Sequence, residues 1–272
     1  MSDINFSAQA QIHLGTHGED YRSWMSNPVF FMIGGGAVVS VLLAILSLAV
    51  LHIVPLAVVF LVITAGLLAM LCWMTWIRKQ YAFDGGGMME AVHRSVLAHL
   101  DFDGQGRLLD VGCGSGALSI RAALTWPEAQ IVGIDYWGAV YNYSQRLCER
   151  NAVSEGVGER CIFQSGDANK LHFSDESFDA VVSNYVYHNI VGADKQALLM
   201  ESLRVLKKGG VFALNDAMKP KMYGDMAAFA QGLRDMGYVE VQLVDTGKEV
   251  FGSHLRASLM MLGHSQMIVG RK

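Results

Sequence analysis

Residues 108–116 read Leu-Leu-Asp-Val-Gly-Cys-Gly-Ser-Gly, an apolar strand that runs straight into three glycines spaced two apart. Gly112, Gly114 and Gly116 have no Cβ, so the backbone there can turn tightly and approach a ligand closely. A helix starting near Ser115 points its N-terminal amides at the same spot, which suits a nucleotide-type ligand. Tight packing also uses glycine, so the partners of this turn decide its meaning. Asp135 follows about 20 residues later, at the end of the next apolar run, where a carboxylate can accept from both hydroxyls of a ribose or cap the next helix. Tyr136 and Trp137 come next, with rings able to cover a base or to pack against that helix. Gly166-Asp167-Ala168 ends a third run and offers Asp167 to an exocyclic amine, although a lone aspartate after a strand commonly forms only a turn. Tyr185, Tyr187 and His188 cluster after a fourth run, where a general base toward an acceptor would sit. His188 alone fits a structural histidine equally well.

These positions need a scaffold that delivers them to one edge. From about residue 83, apolar strands alternate with helix-length amphipathic segments, the pattern of a sheet covered on both faces. The reading places strands at 107–112, 130–135, 161–165, 179–184 and 211–215, with helices over 88–100, 115–125, 140–153 and 225–236. Another helix runs to Lys208 and is closed by Gly209-Gly210. Two late strands, 239–244 and 266–269, are separated by a short, helix-poor stretch, which favours antiparallel pairing over a crossover.

Five motifs in order carry a resemblance. The glycine turn is followed by Val-Gly-Ile-Asp at 132–135, Gly-Asp-Ala at 166–168, Phe-Ser-Asp-Glu-Ser-Phe-Asp-Ala-Val-Val-Ser at 173–183 and Leu-Arg-Val-Leu-Lys-Lys-Gly-Gly at 203–210. Residues 83–272 thus resemble the class I S-adenosylmethionine-dependent methyltransferases, most of all the branch that includes quinone-biosynthesis and small-molecule enzymes. The resemblance implies an α/β, Rossmann-like, seven-stranded and mostly parallel sheet with a reversed last strand. It also implies that Asp110, Gly112 and Gly114, with Cys113 in the same turn, hold the methionine part of the cofactor. Asp135 would take the ribose and Asp167 with Ala168 the adenine, while Tyr136 and Trp137 keep the two readings given above. Asn184 and Tyr185 would line the border with the acceptor. A nicotinamide dehydrogenase, the natural rival, uses G-x-G-x-x-G, whereas this turn is G-x-G-x-G with an aspartate two residues before it. Methyl transfer from a sulfonium is an in-line displacement, so a base is needed only for acceptors such as hydroxyls or thiols, and Tyr185, Tyr187 and His188 are the candidates. The Asn-Pro-Pro-Tyr sequence of enzymes that methylate planar amino groups is missing, and the net charge of −4 comes with no basic stripe. Both observations speak against a nucleic-acid acceptor.

The excess of apolar residues lies elsewhere. Between Arg22 and Arg78 there is no Asp, Glu, Lys or Arg, and the stretch divides near His52–Pro55 into blocks 29–50 and 56–77. A helix needs roughly 20 residues to cross a bilayer, so each block suffices and the short break makes an antiparallel hairpin. A buried core hairpin, a signal peptide and a single span with an interfacial segment fit the lengths and flanks less well. Gly36, Ser40 and Ala44 recur every four positions, a stripe suited to close packing of the two helices or to a homodimer. Trp73, Trp76, Arg78, Lys79 and Tyr81 close the second helix as residues of a cytoplasmic membrane interface do. The expected organisation is therefore an interfacial or disordered segment over 1–28, with Tyr21, Arg22 and Trp24 in it, a transmembrane hairpin over 29–78 and a cytoplasmic methyltransferase domain over 79–272. Phe83-Asp84-Gly85-Gly86-Gly87 reads as a linker between hairpin and domain, or as a hinge or a substrate-facing loop. Cys72, Cys113, Cys148 and Cys161 show no metal-type or disulfide spacing, so no metal is expected.

A hairpin beside such a domain points to a lipophilic or membrane-associated small-molecule acceptor. A methyltransferase for a soluble metabolite, or an anchored cofactor-binding sensor or scaffold without turnover, stands as the alternative. Met218, Met222 and Met226, and Met260 with Met261, suit an apolar acceptor pocket or a membrane-facing lid, and equally an adaptable core.

Overall fold

The computed structural model describes residues 14, 15, 17, 19–21, 25, 27–83, 85–138 and 143–272. Helix α1 (Asn27–Ala49) and helix α2 (Val54–Tyr81) form the expected hairpin, with a proline in the first turn of α2. Both are long and apolar enough to cross a membrane, and most of their surface is uncovered. The small-residue stripe packs one helix on the other: Ser40 and Ala44 are buried, and the Ser40 hydroxyl donates across to the carbonyl of Phe60 at 2.7 Å.

Helix α3 (Met88–Ala98) leads into the sheet: β1 (Arg107–Val111), α4 (Ala117–Thr125), β2 (Gln130–Asp135), α5 (Gln145–Ser154), β3 (Cys161–Ser165), β4 (Phe178–Asn184), α6 (Lys195–Arg204) and β5 (Leu206–Ala217). Then come α7 (Pro220–Tyr223), α8 (Met226–Asp235), β6 (Val239–Val244), α9 (Thr246–Phe251), α10 (His254–Leu259) and β7 (Ser265–Arg271). The strands lie in the order β3-β2-β1-β4-β5-β7-β6, with only β7 reversed against its neighbours. Apolar side chains alternate between two cores, as a pleated strand requires. Leu108, Ile131, Ala180 and Ala213 face α3, α4 and the end of α2, while Leu109, Val132, Val181 and Phe212 face α6 and α8.

Four sequence expectations are corrected. Helix α6 stops at Arg204 instead of Lys208, because the Lys272 ammonium donates to the carbonyls of Leu203, Arg204 and Leu206 and ends it there. Lys207 to Gly210 then join β5, where Gly209 and Gly210 exchange backbone hydrogen bonds with Lys272. The stretch between β6 and β7 holds α9 and α10, each six residues long and capped by Asp245 and Ser253 respectively. Of the helix expected over 140–153, residues 140–142 lie outside the described residues, and α5 begins at Gln145 behind the cap Ser144.

The boundary between hairpin and domain differs most. Helix α2 does not end at the expected span but continues to Tyr81, and Met74, Ile77 and Tyr81 are buried in the domain's core. Tyr81, expected at a membrane interface, instead points into that core, whereas Trp73 and Trp76 are exposed. The glycine junction is a packed turn, not a linker: the Gly86 amide donates to the carbonyl of Lys79, and a Cβ at Gly85 would lie 2.3 Å from that carbonyl oxygen. Asp84 lies outside the described residues. So do Arg22, Trp24 and most of the segment expected to be interfacial, but Tyr21 is buried and donates to Glu155, the residue after α5, at 3.0 Å. A tyrosine docked on the domain in this way is not available to a membrane interface.

Candidate active site

The carboxyl ends of β1, β2 and β4 converge on a cavity of about 830 Å³. At its floor the amides of Gly112 and Cys113 donate to the carbonyl of Ile134, which fastens the glycine turn to β2. Gly112 has φ +77°, and a Cβ there would lie 2.2 Å from Cγ2 of Val186, so only glycine fits. Gly116 closes the turn as the residue before α4, whose N-terminus faces the cavity through Ala117 and Leu118.

Asp135 organises the next shell of groups. Its Oδ2 accepts from the amide of Gly114 at 2.9 Å and its Oδ1 from the amide of Trp137 at 2.7 Å. The Trp137 indole returns a hydrogen bond to the Gly114 carbonyl at 2.9 Å, so turn, carboxylate and ring form one closed unit. Each carboxylate oxygen keeps a lone pair for a further donor, such as one of two neighbouring hydroxyls. Asp110 is buried beneath the turn and accepts from the Ser119 hydroxyl at 2.6 Å. Burial pushes its pKa up to about 7, with the charge of Asp135 adding to the rise. Burial and the adjacent Cys148 thiol raise the pKa of Cys113. Asp167 is exposed at the rim, where the amides of Asn169 hold its carboxyl below the usual range, and Ala168 is buried beside it. Tyr136 is exposed at the mouth.

On the acceptor side, Asn184 accepts at 2.8 Å from Asn215, which in turn accepts at 2.8 Å from Thr246. Tyr185 sits at φ +56° with its hydroxyl 2.8 Å from Ser265, and burial raises its pKa. His188 holds Nδ1 2.5 Å from Oδ1 of the buried Asp216, while its backbone amide donates to Oδ2 at 3.1 Å. A carboxylate can only accept, so the proton of this bond sits on Nδ1.

Every residue predicted for the site lines this cavity except Tyr187. Tyr187 is corrected: it is fully buried in the opposite core with its hydroxyl 2.8 Å from Ser202 of α6, because the short helical turn Tyr187–Asn189 sends it away from the site. Sequence reasoning missed Asp216, although an acid after an apolar strand at the carboxyl edge was a usable signal. It also missed His93 of α3, which lines the cavity, is buried and has an Nδ1 without a hydrogen-bond partner. Burial and the Arg121 charge lower its pKa to about 3, so it is neutral. Part of the lining is apolar: Phe83, Met89, Met261 and Leu262, with the ring of Tyr81 beside them. Among the described residues, His17, Glu19 and Glu155 bring three ligand-type atoms within 4.8 Å of one another, a grouping that the cysteine spacing could not reveal.

Residues 109–214 match the family described as methyltransferase domain. The matched stretch takes in the glycine turn, Asp135, Asp167 and Asn184, so this part of the chain is similar to a methyltransferase domain. The 27-O-demethylrifamycin SV methyltransferase of Amycolatopsis mediterranei is 31% identical over 55% of this chain and 52% of that protein. The demethylmenaquinone methyltransferase of Roseiflexus castenholzii is 32% identical over 43% of this chain and 44% of its own length. The sterol 24-C-methyltransferase of Aspergillus fumigatus is 32% identical over 49% of this chain and 34% of its own. The chain thus spans about half or less of the length of these relatives. Among solved structures, geranyl diphosphate C-methyltransferase from Streptomyces coelicolor A3(2) superposes with a TM-score of 0.51 at 17% identity, covering 67% of this chain and 79% of that one. The cyclase SpnF does so with 0.51 at 21% identity, over 66% and 79%. Both share the fold of the methyltransferase domain, and a cyclase among them means that fold alone does not fix the reaction.

The residues present fit S-adenosylmethionine. A glycine turn closed by Asp135, a second carboxylate at Asp167 and a cavity in the size range of cofactor sites provide for a nucleoside and leave space for an acceptor.

Proposed function

We propose that this chain is an integral membrane S-adenosylmethionine-dependent methyltransferase whose catalytic domain lies on the cytoplasmic side and whose acceptor is a small lipophilic molecule held in the bilayer. One observation carries the reading: the cavity that begins at the glycine turn ends on Tyr81 and Ala82, at the close of a helix long enough to span a membrane. The names of the relatives, which include quinone and sterol methyltransferases, support a lipophilic acceptor.

The cofactor supplies a methyl group on a sulfonium, and transfer needs an acceptor atom held in line with it in a dry site. Asp135, with the Gly114 amide already engaged, would hold the ribose, and Asp167 and Ala168 the adenine edge. Phe83, Met89, Met261 and Leu262 exclude water and accept an apolar body. His188, oriented by Asp216, removes a proton from a hydroxyl or thiol acceptor through Nε2. Tyr185 is a poor base, since burial favours its neutral form and its hydroxyl is held against Ser265, so it serves as a wall.

Release of S-adenosylhomocysteine by the full chain in detergent, with extracted membrane lipids as the acceptor pool, tests the reading. Steady release supports an enzyme, whereas tight binding of the cofactor with no release would make the chain a sensor. The hairpin has to be kept in this experiment, because removing residues 1–78 would take Met74 and Ile77 out of the core.

A further inference from the structure

The strap that carries α10 is a surface the proposed function does not yet use. Ala257 and Met260 are buried beneath it, while Leu255 and Leu259, one helical turn apart, are 72% and 54% exposed and Met261 is 44% exposed. Other exposed apolar side chains of the domain, such as Val153, Ile162, Met222 and Met236, sit singly on separate elements. Arg256 is exposed on the same helix. The strap is tied to the membrane-length helix: the Tyr81 hydroxyl donates to the carbonyl of Met260 at 2.7 Å. Tyr81 lies five residues past Trp76, about 7.5 Å along the axis at 1.5 Å per residue, and Trp76 is half exposed where an aromatic interface anchor belongs. A helix held at that height is within side-chain reach of the headgroup layer.

We infer that α10 and Met261 form a second contact with the bilayer, resting in the boundary between headgroups and acyl chains beside the exit of α2. The inference rests on the membrane reading above and adds the route of the acceptor. Met261 is both exposed and part of the cavity wall, and it holds φ +66°, an uncommon conformation for a side chain of this size. It therefore stands at the mouth. An apolar acceptor passes from the acyl region over Leu259 and Met261 into the cavity without crossing water. Arg256 faces lipid phosphate, as basic residues of interfacial helices do.

The test uses the full chain in lipid nanodiscs, in a Cys72→Ser background because Cys72 is the exposed native thiol while Cys113, Cys148 and Cys161 are buried. An environment-sensitive fluorophore is attached in separate variants at Leu259→Cys, at Val62→Cys in the first half of α2 and at Met236→Cys, which precedes β6 at the sheet edge opposite the cavity. Nitroxide lipids labelled near the headgroup should quench Leu259 several-fold more than Met236, and lipids labelled deep in the chain should quench Val62. Val62 quenched with Leu259 as unquenched as Met236 would overturn the docking of α10 and leave the membrane reading standing. Val62 unquenched as well would overturn both.

Discussion

The hydroxyl of Tyr81, the last residue of α2, donates at 2.7 Å to the carbonyl of Met260, one residue before the cavity-lining Met261. The helix that is long enough to cross a bilayer therefore ends inside the wall of the cofactor cavity instead of on a tether. A rigid joint of this kind fixes the orientation of the cavity relative to the long helix, which a glycine linker would leave undefined. Replacing Tyr81 with Phe removes one buried hydrogen bond, worth about 1 kcal/mol, and should lower the melting temperature by roughly 2–4 °C. Differential scanning fluorimetry of the detergent-purified chain reads this, and an unchanged melt would mean that the bond contributes nothing to the joint.

Asp135 holds the turn, and each of its oxygens keeps a lone pair, which the proposed function gives to the ribose. Asp135→Ala should weaken binding of S-adenosylhomocysteine by on the order of 100-fold, about 2.7 kcal/mol, consistent with losing charge-assisted hydrogen bonds. Titration calorimetry is the measurement. Binding within a few-fold of the parent would remove Asp135 from the cofactor site.

In the proposed proton transfer His188 and Asp216 act together, so His188→Asn and Asp216→Asn should have the same effect. For a hydroxyl or thiol acceptor each should reduce the release rate of S-adenosylhomocysteine by about 100-fold or more while leaving its binding unchanged. Equal loss of binding and turnover would point to a structural role for the pair.

Asp110 predicts a pH dependence of stability. Burial raises its pKa from 3.8 to about 7, so between those values the folded chain keeps a proton that the unfolded chain has released. The folded state binds more protons in that window, and the Asp110 contribution to stability, full below pH 4, is lost as pH rises through about 7. Asp110→Asn should melt progressively higher than the parent as pH is raised from 4 to 8. Parallel melting curves across that range would contradict the assignment.

Gly112→Ala places a methyl group 2.2 Å from Val186 at a positive φ. The clash and the strain should destabilise the chain by about 2–3 kcal/mol, and Val186→Ala in the same chain should recover part of the loss. Absence of any recovery in the double variant would mean that the backbone conformation, not the contact, dominates.

How much of this was legible in the sequence follows from how local each feature is. The glycine turn, Asp135 and Asp167 were readable because each sits at a strand end that the alternation of apolar residues marks. The antiparallel pairing of β7 was expected, although the stretch read as helix-poor before it carries α9 and α10. The partnership of His188 with Asp216 was not, since the two are joined only when β4 and β5 pair. His93 reaches the cavity only because α3 packs beneath the turn. Tyr81 was misread because hydropathy shows where an apolar helix runs but not where it leaves the bilayer for a protein core. Helices α9 and α10, at six residues, are too short for helical periodicity to register.

If the cavity takes an acceptor held in the membrane, full-length protein in nanodiscs made from total membrane lipid should transfer a methyl group to lipid. With S-adenosylmethionine tritiated in its methyl group, and Asp135→Ala as the blank, label should appear in the organic-extractable fraction and depend on Asp135. Label found only in water-soluble product, when the soluble metabolite fraction is supplied instead, would show that the acceptor is not a membrane lipid.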